Sequence, residues 1–243
     1  MSKCACEHGA ALALRLLGVD VPYLPVLQAM RAFTAARMAD TPDELWVLQH
    51  AAVFTQGLNG QAAHVLDAGV IPVVPTDRGG QVTYHGSGQI VLYPLIDLAR
   101  AGLGVRGMVE LLEQAVLDML ADWGVPAHRR SGAPGVYVAA GKIAALGLKV
   151  RQGRCYHGVA CNLAMDLAPF SRINPCGYAG LAVTDCRQIL ADRWQPGWVE
   201  AMTQALIAHL ARLLGRSLQL NPAPSPFLTA VGISTQSQPS GSV

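Results

Sequence analysis

Arg78-Gly79-Gly80-Gln81-Val82-Thr83-Tyr84-His85-Gly86-Ser87-Gly88-Gln89 runs straight into the apolar stretch Ile90-Val91-Leu92-Tyr93-Pro94-Leu95. Glycine has no Cβ, so a segment carrying four of them lets backbone N–H groups approach a ligand closely. The apolar stretch that follows reads as a buried strand, which makes the glycine segment a binding loop anchored to a core. Two later segments add chemistry to it. Gly141-Lys142-Ile143-Ala144-Ala145-Leu146-Gly147 and Asn174-Pro175-Cys176-Gly177-Tyr178 supply an amine and a thiol that a fold can bring together.

The 243 residues are 51% apolar, ample for the buried core of one large domain. A net charge of +2 with 14% charged residues leaves no basic stripe for nucleic acid. No apolar run approaches the roughly 18 residues that span a bilayer. Residues 10–17 are interrupted by Arg15 and lack a signal-peptide cleavage pattern. The expectation is a soluble, cytoplasmic protein without nucleic-acid or membrane partners, whose cysteines (Cys4, Cys6, Cys155, Cys161, Cys176 and Cys186) are thiols. Cys4-Ala5-Cys6-Glu7-His8 has metal-ligand residue types, but closed sites want four well-spaced ligands, so it reads as a terminal extension and no metal is expected. Motifs for a phosphate loop, a zinc protease helix and a serine nucleophile elbow do not occur, and no G-x-G-x-x-G comes directly after a strand to support a dinucleotide fold.

Residues 21–38 read as an amphipathic helix with Pro22 near its start and Leu24, Leu27, Met30 and Phe33 on one face. Residues 44–50 and 52–54 read as strands, with a turn at Asn59-Gly60. A second helix, 105–123, spaces Val105, Met108, Val109, Leu112, Val116, Met119, Leu120 and Trp123 three and four apart. Residues 135–138, 142–151 and 155–163 read as an antiparallel meander, and 198–214 as a final helix. Strand clusters without regular strand–helix alternation indicate an α+β domain over residues 11–220. Residues 1–10 are assigned to an extension, and 221–243, rich in Pro, Ser, Thr and Gln, to a disordered tail.

Cys176 stands between a proline that fixes the chain before it and a glycine that clears space after it, which suits a nucleophile on a tight turn beside a backbone N–H. A free thiol is only a few per cent thiolate at neutral pH, so catalysis calls for a cationic neighbour. Lys142 is the candidate, on a strand whose apolar continuation indicates burial. His85 and His157 are each candidates for a general base or a carbonyl-orienting group, His85 as a residue of the glycine loop. Arg78 is expected either to hold an anion or to anchor the loop to a carboxylate. Cys155 and Cys161 are expected to be structural.

Taken in order, Val53-Phe54-Thr55-Gln56-Gly57, the segment 78–88, Ala133-Pro134-Gly135-Val136-Tyr137-Val138 with Lys142, His157-Gly158-Val159-Ala160, and Asn174-Pro175-Cys176-Gly177-Tyr178 closely resemble the lipoyl(octanoyl) transferase family. The resemblance implies a biotin/lipoate protein ligase-like fold, with mixed sheets and helices packed around an acyl-binding pocket. It implies transfer of an octanoyl group from acyl carrier protein to a lysine of lipoyl domains, those of 2-oxoacid dehydrogenase E2 subunits and of the glycine cleavage H protein, without a cofactor. In that family the residue matching Cys176 carries the acyl thioester and the one matching Lys142 activates it. Arg78, Gly79, Gly80, Gln81, Val82, Thr83, Tyr84, His85, Ala145, Leu146, Gly147, Gly158, Val159 and Ala160 match its acyl-binding segments. Burying about seven methylenes at roughly 0.8 kcal/mol each holds such a chain, while one methylene too many changes binding by only ~1 kcal/mol, so length selection rests on pocket depth and steric closure. An ATP-dependent lipoate or biotin ligase on the same fold, and a non-catalytic module that binds carrier domains, are the alternative readings.

Overall fold

The strand Gly9–Val21, which the sequence reading leaves unassigned, lies next to one edge of the large sheet. The computed structural model describes residues 9–237, so Cys4, Cys6 and His8 and the last six positions lie outside the described residues. In chain order the main elements are β1 (Gly9–Val21), α1 (Tyr23–Ala36), β2 (Glu44–His50), β3 (Val53–Gln56), β4 (Val73–Pro75), β5 (Val82–His85), β6 (Gln89–Leu95) and α2 (Val105–Asp122). They continue with β7 (His128–Arg129), β8 (Gly135–Val138), β9 (Gly141–Arg151), β10 (Arg154–Asn162), α3 (Cys186–Leu190), α4 (Trp198–Leu213), β11 (Arg216–Leu220) and α5 (Pro226–Thr229). The large sheet has the order β11-β1-β2-β6-β10-β9-β8-β7, and a small one the order β4-β3-β5. In the large sheet β1 pairs in parallel with both β11 and β2, whereas every later neighbour in that order, from β2–β6 to β8–β7, pairs antiparallel.

Strand periodicity sorts the core into two layers. On β6, Ile90 and Leu92 join α2, α4 and Val159 on one side, while Val91 and Tyr93 join α1 and Ala160 on the other. β6 is buried along its whole length, as its unbroken apolar run requires. β1 carries Arg15 into this interior, where its guanidinium donates to both carboxylate oxygens of Glu44 on β2, at 2.7 and 2.8 Å. On α2 the stripe Met108, Leu112, Val116, Met119 and Leu120 is buried, but Val105 is half exposed and, with Val109, faces the cavity described below. On α1 the buried stripe runs through Val26 in place of the expected Leu24, which is 48% exposed.

The meander β8-β9-β10 has the expected antiparallel pairing. The C-terminal stretch departs from the expected tail. α5 packs on α1, Leu228 is fully buried, and Gln236 N–H donates to Leu16 O at 2.8 Å. A few apolar residues separated by polar ones are enough to seat this segment, and composition averaged over it conceals them. Residues 9 and 10, assigned to an extension, begin β1. No helix among the described residues is long and apolar enough to cross a membrane.

Candidate active site

Lys142 enters the site from the first residues of β9, and its backbone ties down the segment that follows the thiol. Lys142 N–H donates to Ala182 O at 2.8 Å and Thr184 N–H donates to Lys142 O at 3.0 Å. Gly141 permits this approach: its φ is +142° and a Cβ there would lie 2.4 Å from Ala182 O. Gly135 on β8 clears the side chain itself, since a Cβ at that position would lie 2.5 Å from Lys142 Cε and 2.9 Å from Nζ. Lys142 is 5% exposed, and its Nζ donates to Pro134 O at 2.9 Å and to Cys176 Sγ at 3.0 Å.

Cys176 sits in a short 3-10 turn, Pro175–Gly177, closed by Gly177 N–H to Asn174 O at 2.9 Å and Tyr178 N–H to Pro175 O at 3.1 Å. Its backbone is left-handed (φ 57°, ψ 15°), a strained state for a residue with a Cβ that persists only where its surroundings hold it. The sulfur is half-buried, whereas Cys155, Cys161 and Cys186 are fully buried thiols. Burial pushes the Cys155 thiol up to about 12, and a hydrogen bond with Cys186 together with burial pushes Cys161 well above the usual thiol range.

Lys142 and Cys176 both open on a cavity of about 390 Å³. Residues 78–83, His85, 145–147 and 158–160 line it as well. Tyr84 does not: alternation along β5 turns it to the opposite side, against Phe54 and Phe170. Arg78 is an internal staple, its guanidinium donating to Thr55 O and Gln81 O, each at 2.7 Å, and to Gly79 O at 3.0 Å. Backbone carbonyls take the place of the expected carboxylate or anion.

His85 is a strand residue, in contrast to its expected place in a loop. Its Nδ1 lies 2.6 Å from Gln89 Oε1, and its ring stacks on Tyr23. His157 has φ +59° and places Nε2 2.9 Å from Asp77 Oδ1. The hydrogen-bond partners of the two rings are Thr55 and Gln89 for His85 and Asp77 for His157, whereas the side chain in contact with the sulfur is Lys142. Asp77, Tyr23 and Tyr93 escaped the sequence reading, and only proximity to the glycine segment could have flagged Asp77. Burial raises the Asp77 carboxyl, but hydrogen bonds from His157, Tyr156 and Arg31 outweigh it and hold the group well below the usual carboxylate range.

Burial pushes His50 down to about 4 and His85 well below the ordinary histidine value. Both are neutral in the fold, while the unfolded chain protonates them near pH 6.5. The unfolded state therefore binds more protons as the pH falls, and stability present above about 6.5 is lost towards pH 4. For His50 alone the loss is on the order of 3 kcal/mol. Thermal melts between pH 7.5 and 4 should show a falling midpoint, with a shallower fall in His50→Gln. A midpoint independent of pH would contradict the neutral assignment.

Residues 22–211 match the family described as Lipoyl protein ligase A/B catalytic domain. The chain is 56% identical over 204 residues to an octanoyltransferase of Xylella fastidiosa (strain 9a5c), covering 84% of this chain and 87% of that one. It is 54% identical over 209 residues to an octanoyltransferase of Klebsiella pneumoniae (strain 342), covering 86% and 94%. Among solved structures, a lipoate-protein ligase A bound with ATP superposes with a TM-score of 0.72 at 16% identity, covering 91% of this chain and 92% of that one. Ta0514, a putative lipoate protein ligase from T. acidophilum with bound lipoic acid, gives a TM-score of 0.71 at 16% identity with the same coverage. At such identity these two share the fold with this chain.

Proposed function

The chain belongs to the lipoyl protein ligase A/B catalytic domain family and transfers octanoyl groups in protein lipoylation, and from that footing we propose that Cys176 carries the octanoyl group as a thioester while Lys142 moves the protons. The observation that carries this reading is the 3.0 Å contact between Lys142 Nζ and Cys176 Sγ at an apolar cavity.

In the first step the Cys176 thiolate attacks the carbonyl of an octanoyl thioester on acyl carrier protein. The new C–S bond forms as the old one breaks, and the departing carrier thiolate takes a proton from Lys142. One thioester replaces another, so the exchange is nearly isoenergetic and requires no nucleotide. In the second step the amine of a lipoyl-domain lysine attacks the acyl-enzyme, and neutral Lys142 accepts a proton from the attacking nitrogen. Cys176 leaves as a thiolate beside a re-formed ammonium. Amide formation from a thioester makes this step downhill. The acceptors in this reading are lipoyl domains of 2-oxoacid dehydrogenase E2 subunits and the glycine cleavage H protein. The four unpaired thiols among the described residues fit work in the cytoplasm.

Incubation with octanoyl-acyl carrier protein and no nucleotide should add one octanoyl group to the intact mass, and alkylation of Cys176 beforehand should abolish the gain. An adduct that forms only with ATP, or none at all, would overturn the reading.

A further inference from the structure

Glu113 is a carboxylate in an apolar place. It follows Leu112 of the buried stripe on α2 and is 6% exposed, and the transfer chemistry above makes no use of it. An acidic side chain is rarely buried to that degree unless partners hold it. Its Oε2 accepts from Arg129 Nε at 3.0 Å, and its Oε1 accepts from Gly135 N–H at 2.8 Å.

The second of these bonds reaches the amine of Lys142 through a single peptide group. Gly135 N–H and Pro134 C=O are the two ends of one planar trans peptide, so they point in opposite directions. Glu113 grips the N–H end, and the carbonyl end accepts from Lys142 Nζ at 2.9 Å. Gly135 has φ +139°, a conformation that a residue with a Cβ rarely adopts, and so lets the peptide take up this orientation. The preceding peptide has no N–H to offer, because residue 134 is proline; its carbonyl, Ala133 O, accepts from Tyr137 OH at 3.1 Å.

An ammonium on a flexible four-carbon stem carries three donors and turns freely unless more than one acceptor fixes it. For Lys142 Nζ, Cys176 Sγ is one acceptor and Pro134 O is another. A carbonyl free to swing would let the amine drift from the sulfur. We propose that Glu113 is a positioning residue, which holds the Pro134–Gly135 peptide so that its carbonyl keeps Lys142 against Cys176. The proposal rests on the acyl-transfer reading above. What the reaction needs from Glu113 is the acceptor oxygen on Gly135 N–H, while the ion pair with Arg129, whose side chain is 39% exposed, serves the fold.

Alkylation of Cys176 by iodoacetamide at neutral pH, followed by peptide mass, tests it beside octanoyl transfer. Glu113→Met removes the acceptor and keeps the bulk, Glu113→Ala removes both, and melting curves identify which of them fold. In the folded variants both rates should fall about tenfold, the equivalent of one lost hydrogen bond. Glu113→Gln keeps an acceptor oxygen without the ion pair, and should stay within roughly threefold of the unmutated rates. In a Lys142→Ala background Glu113→Met should slow alkylation no further, because the group it acts through is gone. Three results each overturn the positioning role and leave acyl transfer standing: unmutated rates in a folded Glu113→Met or Glu113→Ala, a loss in Glu113→Gln as large as about tenfold, or an undiminished effect without Lys142. Absence of any octanoyl adduct in the unmutated protein overturns the transfer reading and, with it, a role for Glu113 in that reaction.

Discussion

Serine in place of Cys176 is expected to lower octanoyl transfer by a factor of about 10³ or more. A hydroxyl is a far weaker acid than a thiol, so serine at this position, with the Lys142 amine 3.0 Å from the native sulfur, supplies almost no alkoxide for the proposed attack. An oxygen ester formed at this position would also be a poorer acyl donor to an amine than a thioester is. The substitution is nearly isosteric, so the loss should come with an unchanged melting temperature. Octanoylation of a lipoyl-domain lysine, followed by mass, provides the measurement. Cys161→Ala in the same assay should keep most of the activity, because that thiol is fully buried beside Cys186 and takes no part in lining the cavity. Equal transfer by Cys176→Ser and the unmutated protein would remove the nucleophile from the mechanism.

Lys142→Ala is expected to slow transfer by roughly 10² to 10⁴, the range for loss of a positioned acid or base. Both half-reactions should suffer. In the proposed mechanism the sulfur then loses its cationic contact, 3.0 Å away, and in the second step the attacking amine has no group to take its proton. Alkylation of Cys176 by iodoacetamide at neutral pH separates the two effects: it should slow in Lys142→Ala, because only the thiolate reacts. Arginine should not restore function. The lysine stem fits against Gly135 so closely that a single Cβ there would collide with it, and a guanidinium does not give up a proton at neutral pH. Unaltered alkylation together with unaltered transfer would show that the amine is a bystander.

The sequence disclosed the site where function depends on local chemistry and concealed it where function depends on partners far along the chain. The turn at Cys176 follows from Pro175 and Gly177, and the burial of β6 from its apolar run. The meander that carries Lys142 and His157 follows from three strand patterns broken by turns. β1 gave no such signal, because Arg15 interrupts its apolar pattern and the charge becomes tolerable only beside Glu44 on a strand that comes 29 positions later. His85 looked like a loop residue because glycines surround it. Its strand conformation depends on pairing with Val53 of β3. Tyr23 and Tyr93 read as ordinary helix and strand core, and only the packing of α1 against β10, beside β6, turns them towards a cavity.

The amine and the sulfur are 34 positions apart, yet they share a mooring. Because the peptide group of Lys142 grips Ala182 and Thr184 on the stretch leading away from Cys176, any motion that lifts this stretch also tugs the strand that bears the amine. In the proposed reaction a carrier domain and later an acceptor domain must each reach the sulfur, beside which Tyr178 is 56% exposed. The two reacting atoms ride out that jostling together, so successive visitors meet the same catalyst.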